Sequence, residues 1–311
     1  MSFAGEVKKE ILSIDDIAPC CKKALMYGIL QGSSEISITS NGIKLIIKTN
    51  VLNALKVITP LLKEQYNISF EKGLRSDNAS QGRRYYFVEI KEEAQQIIED
   101  YGLMPFDDID LNNPLLKNKC CRLAFVRGMF AVKGSINDPR KECYHFEITC
   151  KKESAALTIQ TILKQKDIES NIIMKRQNYV LYVKRSEKIS ECLALIGASS
   201  GVFYFEDSRI YRDFANMANR IANCDIANER KCASSCQYQL NIIEKIRELG
   251  YFERMPLRLQ SVAKMREEYP DSSLEELASF SDNIFGKQMS KSGISHCMRD
   301  LESFYKTLEH K

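Results

Sequence analysis

Apolar and polar positions along the first two thirds of the chain follow one programme twice. In 20–30, CCKKALMYGIL, positions 21, 24, 25, 28 and 29 recur at helical spacing. Alternating runs follow, Ile36-Ser-Ile-Thr and Ile43-Lys-Leu-Ile-Ile-Lys-Thr, joined by the hairpin dipeptide Asn41-Gly42. The pattern then predicts a helix from about Val51 to Tyr66, strands near Asn67–Lys72 and Tyr85–Ile90, and a helix from about Glu92 to Tyr101. A second helical run, CCRLAFVRGMF at 120–130, repeats the stripe at 121, 124, 125, 128 and 129. After it the pattern predicts strands near Ser135–Asn137 and Tyr144–Cys150 and a helix from Glu153 to Gln165. Strands Ile168–Lys175 and Tyr179–Lys184 and a helix Glu187–Leu195 complete the copy.

Four identities at a constant offset of 100 tie the copies together: Cys20/Cys120, Cys21/Cys121, Ala24/Ala124 and Gly28/Gly128. Each leading helix opens after helix-start chemistry, Ala18-Pro19 in the first copy and Asn113-Pro114 in the second. The expected architecture is α+β, an αββαββα unit twice over, with two sheets about a pseudo-twofold axis. A glycine at the same point of both apolar stripes lets two helix backbones approach closely, so Gly28 and Gly128 are expected at the repeat interface.

From Tyr204 onward the period is helical throughout. Residues 204–228 are expected to link the repeats (1–111 and 112–203, forming one domain) to a helical domain, 229–311. A helix ends near Leu249 before Gly250, another runs from Leu257 to Tyr269, and Asp271-Ser-Ser273 caps a third beginning at Leu274. The last two helices, from about Leu274 to Leu308, are a helix-turn-helix candidate. Ile294, Cys297, Met298, Leu301, Tyr305 and Leu308 make the buried stripe of the final helix. Lys291, Ser292, Ser295, His296 and Arg299 then lie on its outward face near the amino-terminal end, where a recognition helix meets DNA. A plain helical hairpin with a solvated polar face has the same periodicity.

Residues 125–136, FVRGMFAVKGSI, resemble the signature helix of LAGLIDADG homing endonucleases. In that family each of two signature helices delivers a carboxylate that holds divalent metal at the scissile phosphates. The resemblance puts those acids at Ser33 and Lys133, where a protonated lysine cannot ligate the metal and serine alone is a poor substitute, while Glu35 and Asp138 stand off the signature positions. It therefore implies the nuclease architecture with its catalytic acids missing, and no catalytic residue is expected. The opening MSFAGEVKKE, the stretch NRIANCDIAN at 219–228 and the ending YPDSSLEELA…SKSGISHCMRDLE resemble the WhiA family of bacterial regulators. That resemblance spans essentially the whole chain. It implies a degenerate LAGLIDADG-like domain followed by a helix-turn-helix domain. The implied role is DNA binding and regulation in cell division and chromosome segregation, and in some bacteria sporulation.

Composition is that of an ordinary globular protein, 44% hydrophobic with a net charge of +4. The segments differ more than the total: residues 1–111 carry a net −3, residues 112–199 a net +8 and residues 200–311 a net −1. The second repeat, with Lys133, Lys151-Lys152, Lys175-Arg176 and Lys184-Arg185, is thus the half suited to an anionic partner. The amino terminus, Met1 to Leu12, reads as a short helix capped by Ser2 rather than a signal peptide, and the chain lacks the roughly 18 continuous apolar residues of a membrane span. The expected location is the cytoplasm, at the nucleoid, with no membrane partner.

The eleven cysteines are read as small buried hydrophobes of a reduced compartment. Cys232 and Cys236 share a helix face and Cys224 could join them, but no fourth ligand is near and His145, His296 and His310 show no ligand spacing. No metal or cofactor is expected. The function these readings favour is a non-enzymatic regulator that binds double-stranded DNA, with a protein partner in transcription or division control. The alternatives are a module that binds a partner or ligand, and a residual metal-dependent endonuclease.

Overall fold

Ser2 is itself extended (φ −76°, ψ 154°) and its hydroxyl accepts from the Gly5 amide at 3.2 Å, so the first helix, α1 (Phe3–Leu12), starts where the sequence puts it. The computed structural model describes residues 2–14, 17–40, 42–77, 83–141, 143–286 and 288–309. Asn41 of the expected hairpin turn and His310 lie outside them. The chain divides into two compact units, 1–212 and 213–311.

In the first unit, the leading helix α2 (Pro19–Ser33) runs without a linker into β1 (Ser34–Thr39), followed by β2 (Gly42–Thr49), α3 (Leu52–Tyr66), β3 (Glu71–Asp77), β4 (Arg83–Ile90) and α4 (Ala94–Asp100). The second copy repeats this order: α5 (Lys119–Lys133), β5 (Gly134–Ile136), β6 (Phe146–Cys150), α6 (Glu153–Lys164), β7 (Asn171–Lys175), β8 (Asn178–Val183) and α7 (Ser186–Ile196). Both sheets are antiparallel, ordered β1-β2-β4-β3 and β5-β6-β8-β7. In each, the first and third strands of the copy flank the second and fourth. One face packs on the helices: Leu45, Ile47, Val88 and Ile90 in the first sheet, Phe146, Ile148, Leu181 and Val183 in the second.

Two expectations shift. The strand expected at Asn67–Lys72 is formed by Glu71–Asp77, because Asn67 takes a left-handed conformation (φ 49°) that ends α3 and delays the extended run. Pro114 opens only a 3-10 turn, Pro114–Leu116, capped by Asn113, and α5 begins five residues later at Lys119. Residues 204–228, expected to link the repeats to the helical domain, have the helical period their sequence predicts and lie within α8 (Ser199–Glu248), in which the two units meet in sequence. Glu10 holds the start of α8, its carboxylate accepting from the amides of Ser200 (2.6 Å) and Gly201 (3.0 Å).

The axis of the first unit is the pair α2 and α5. Both are buried almost all round after their first turn, rather than along one stripe. A Cβ on Gly28 would lie 2.3 Å from the Phe125 carbonyl oxygen, and one on Gly128 the same distance from that of Leu25. Backbones this close leave room for hydrogen alone. Tyr27 stacks obliquely on Phe125 across the pair, ring centroids 5.1 Å apart.

The second unit takes the end of α8 and packs α9 (Leu257–Glu268), α10 (Leu274–Phe285) and α11 (Lys291–Glu309) around Ile242, Ile246, Val262, Leu277, Ile294 and Leu301. A capping box at Ser273 and Glu276 starts α10, and Gly286 in the left-handed region (φ 61°) ends it. Arg266, 1% exposed, donates to Gln239 Oε1 (2.9 Å) and to the carbonyls of Tyr269, Pro270 and Ser272, fastening the α9–α10 turn to α8.

Candidate nucleic-acid interface

At the carboxyl-terminal ends of α2 and α5 stand Ser33 and Lys133. Ser33 is buried and turns its hydroxyl back onto the Ile29 carbonyl. Lys133 is exposed. Lys151, on the strand end beside it, donates from Nζ to the Ser34 carbonyl at 2.8 Å. Burial and then the neighbouring Lys133 ammonium hold Lys151 below the ordinary lysine range. Lys8 of α1 also faces Lys133, and burial first, Lys133 second, bring its pKa down to about 8. Glu35 is in an ion pair with Lys48. Asp138 is held by Arg140, whose guanidinium donates at 2.7 and 3.0 Å and keeps the carboxyl below the usual carboxylate range. The structure thus gathers lysines at the signature ends, and both nearby acids are tied to a cation. Lys8 and Lys48 were not singled out from sequence: they come from elements remote in sequence, and only packing brings them here.

The other basic pairs of the second repeat have unequal positions. Lys152 is committed to the fold, its ammonium donating to the carbonyls of Gly102, Met104 and Asp107 at 3.1, 2.6 and 2.8 Å, so it is not available to a ligand. Lys175 and Arg176 form the exposed β7–β8 hairpin, where Arg176 and Gln177 both take positive φ (49° and 62°), the two-residue turn that suits the strand twist. Lys184 is exposed over the Tyr182 ring at 5.1 Å. Arg185 is exposed and 3.6 Å from Glu169.

In the second unit, Ile294, Cys297, Met298 and Leu301 are buried, with Tyr305 and Leu308 packed beside them. The complementary face of α11 is polar. Lys291, Ser292 and His296 are exposed, Lys291 2.9 Å from Glu275 and His296 3.2 Å from Asp300. The Ser292 hydroxyl lies 2.9 Å from that of Ser290. Ser295 is half-buried, and with exposed Arg299 it lines a groove shared with Tyr238 and Gln239 of α8. The five predicted residues therefore divide between the start of α11 and the wall of this groove. Ion pairs as exposed as that of Lys291 exchange readily for a phosphate.

Two related αβ repeats followed by a compact all-helical unit define a two-part protein of LAGLIDADG-like class with a helical carboxyl-terminal domain. Family models match in the same order: the WhiA N-terminal LAGLIDADG-like domain over residues 19–104, the WhiA LAGLIDADG-like domain over 122–215 and the WhiA C-terminal HTH domain over 218–305. The chain belongs to the WhiA family. It is 32% identical over 307 residues to the "Probable cell division protein WhiA" of Oceanobacillus iheyensis, covering 98% of this chain and 96% of that one. It is also 32% identical over 311 residues to the protein of that name from Bacillus cereus, covering 99% and 97%. Among solved structures, full-length DUF199/WhiA from Thermatoga maritima shares the fold with a TM-score of 0.58 at 21% identity, covering 99% of each chain. Among the described residues no helix is long and apolar enough to cross a membrane.

Proposed function

We propose that this chain is a non-enzymatic regulator that binds double-stranded DNA and acts in cell division and chromosome segregation. The observation that carries the reading is the two-faced final helix: a stripe whose first four residues, Ile294 to Leu301, are buried anchors α11, while Lys291, Ser292 and His296 stand exposed in its first two turns. The amino-terminal end of a helix adds its own positive potential for phosphate. Ser292 and His296 have the hydrogen-bonding groups to read base edges, and Lys291 and Arg299 those to hold phosphate or guanine. The lysines at the ends of the repeat helices favour a second contact with the phosphate backbone, through Lys133 and Lys151 and the outer residues Lys175, Arg176, Lys184 and Arg185. They also weigh against cleavage, because ammonium groups repel the divalent ions such chemistry requires. The names of the Oceanobacillus and Bacillus relatives support the link to cell division.

The test is a salt titration of duplex binding by the full chain. Replacing Lys291 and Arg299 by alanine is expected to weaken binding and to flatten the salt dependence by roughly one counterion for each phosphate no longer neutralised. Unchanged affinity across the titration removes α11 from the DNA-binding surface. Plasmid incubated with the protein and Mg²⁺ or Mn²⁺ is expected to stay intact. Cleavage that disappears on changing Glu35 or Asp138 would overturn the non-enzymatic reading.

A further inference from the structure

The identical cysteine pairs that mark the repeat meet in space. Cys20 and Cys21 are the second and third residues of α2, and Cys120 and Cys121 the second and third of α5. Their four Sγ atoms all lie within 4.8 Å of one another, and those of Cys20 and Cys21 are 4.0 Å apart. Among the described residues this is the one such group of three or more metal-ligating side chains. The reading of all cysteines as buried hydrophobes fails here, since Cys20 and Cys120 are exposed while Cys21 and Cys121 are buried. We infer that Cys20, Cys21, Cys120 and Cys121 form a tetrathiolate zinc site that clamps the amino-terminal ends of the two repeat helices together.

Geometry, charge and access support the same ligand. A tetrahedral zinc with Zn–S bonds of about 2.3 Å holds its sulfurs about 3.8 Å apart, so closing the site asks each thiol to move by less than about an ångström. Four sulfurs with no oxygen or nitrogen donor among them are a soft set suited to tetrahedral zinc rather than to magnesium or calcium. Binding releases four thiol protons to solvent and leaves a centre of net charge −2. Two helix amino termini point at that charge, and Lys22, Lys23, Lys119 and Arg122 flank it in sequence. The exposed pair leaves a way in for the ion, while the buried pair fixes the inner two ligands on the helix interface.

A disulfide within either pair is disfavoured. Adjacent residues have Cα atoms about 3.8 Å apart, short of the roughly 4.4 Å at which disulfide spans begin. Only cross-repeat bonds could compete with the metal. The site lies at the opposite end of α2 and α5 from Ser33 and Lys133, so its task is structural: it holds the pseudo-twofold pair together at its amino-terminal end.

The experiment measures metal in the full chain purified with reductant and without chelator. One zinc per chain is expected, and replacing it with cobalt should give the intense d–d bands and thiolate charge-transfer absorption of a tetrahedral four-sulfur site. Joint Cys20→Ser and Cys120→Ser substitution removes two exposed ligands at little risk to folding. It should abolish stoichiometric metal while far-ultraviolet circular dichroism stays that of the wild type. Joint Cys232→Ser and Cys236→Ser substitution should keep both metal and spectrum. Chelation should lower the Tm of the wild type and leave that of the Cys20/Cys120 variant unmoved. Three results would overturn the inference: reduced wild-type protein that takes up neither zinc nor cobalt, iron in place of zinc, or a cross-repeat disulfide in the intact mass of protein isolated with its thiols blocked.

Discussion

Gly28 and Gly128 face each other across the pseudo-twofold axis, and a Cβ built on either would stand 3.1–3.2 Å from the Cα of the other. It would also meet a backbone carbonyl of the opposing helix at 2.3 Å, which no rotamer change can relieve. The joint between the two repeats thus depends on two missing methyl groups.

Gly28→Ala and Gly128→Ala are each expected to destabilise the first unit by about 3 kcal/mol, the upper range for overpacking, because the helix pair itself must part. Urea midpoints of the full chain, read by a probe in the repeats, check this. The double variant should cost less than the sum of the singles, since the first substitution already opens the space the second needs. A loss below about 0.5 kcal/mol would show that the pair separates freely, and the close approach would then not be what specifies the interface.

Arg266 is the buried cation on which the helical domain turns. Arg266→Met removes the donor for Gln239 and for the carbonyls at the α9–α10 turn and is expected to cost about 3 kcal/mol in that unit. Arg266→Lys should recover little, because one ammonium cannot span the directions the guanidinium fork serves. Thermal unfolding followed by hydrogen exchange of α9 and α10 separates this loss from any change in the repeats.

Lys8 makes the stability of the first unit depend on alkaline pH. Its folded pKa of about 8 lies below the ordinary 10.5, so between these values the unfolded chain binds more protons than the folded one. Stability from this residue therefore rises as pH goes from 8 to 10.5, and below pH 8 its full cost is felt. Lys8→Met should raise the urea midpoint at pH 7 and remove that part of the rise. Lys133→Met should move the Lys8 titration upward, because it removes the charge that adds to burial. A Lys8 titration indifferent to Lys133 would separate the two side chains and dissolve the lysine cluster.

Much of this protein was legible in one dimension. Period and turn chemistry located both αββαββα copies, the cap at Asp271-Ser-Ser273 before α10 and the buried stripe of α11, because helices and half-buried strands write their faces directly into residue spacing. The boundaries that moved did so where a local signal was overridden. Asn113-Pro114 starts a 3-10 turn rather than α5, and Asn67 in the left-handed region ends α3 and delays the strand after it.

Tertiary structure alone decided what lies next to what. Lys152 looks in sequence like its neighbour Lys151, yet it is spent on three carbonyls of the connection between the repeats. Lys8 and Lys133 are 125 positions apart and become electrostatic neighbours only through the packing of α1 on the repeats. The two Cys-Cys pairs were visible as marks of duplication, and their place seven residues before each interface glycine already put Cys21 and Cys121 on the side where the copies meet. That four sulfurs converge could be known only once the two helices crossed. Periodicity says which face of an element is buried; only packing says against which partner, because the hydrophobic drive that buries a face carries no direction of its own.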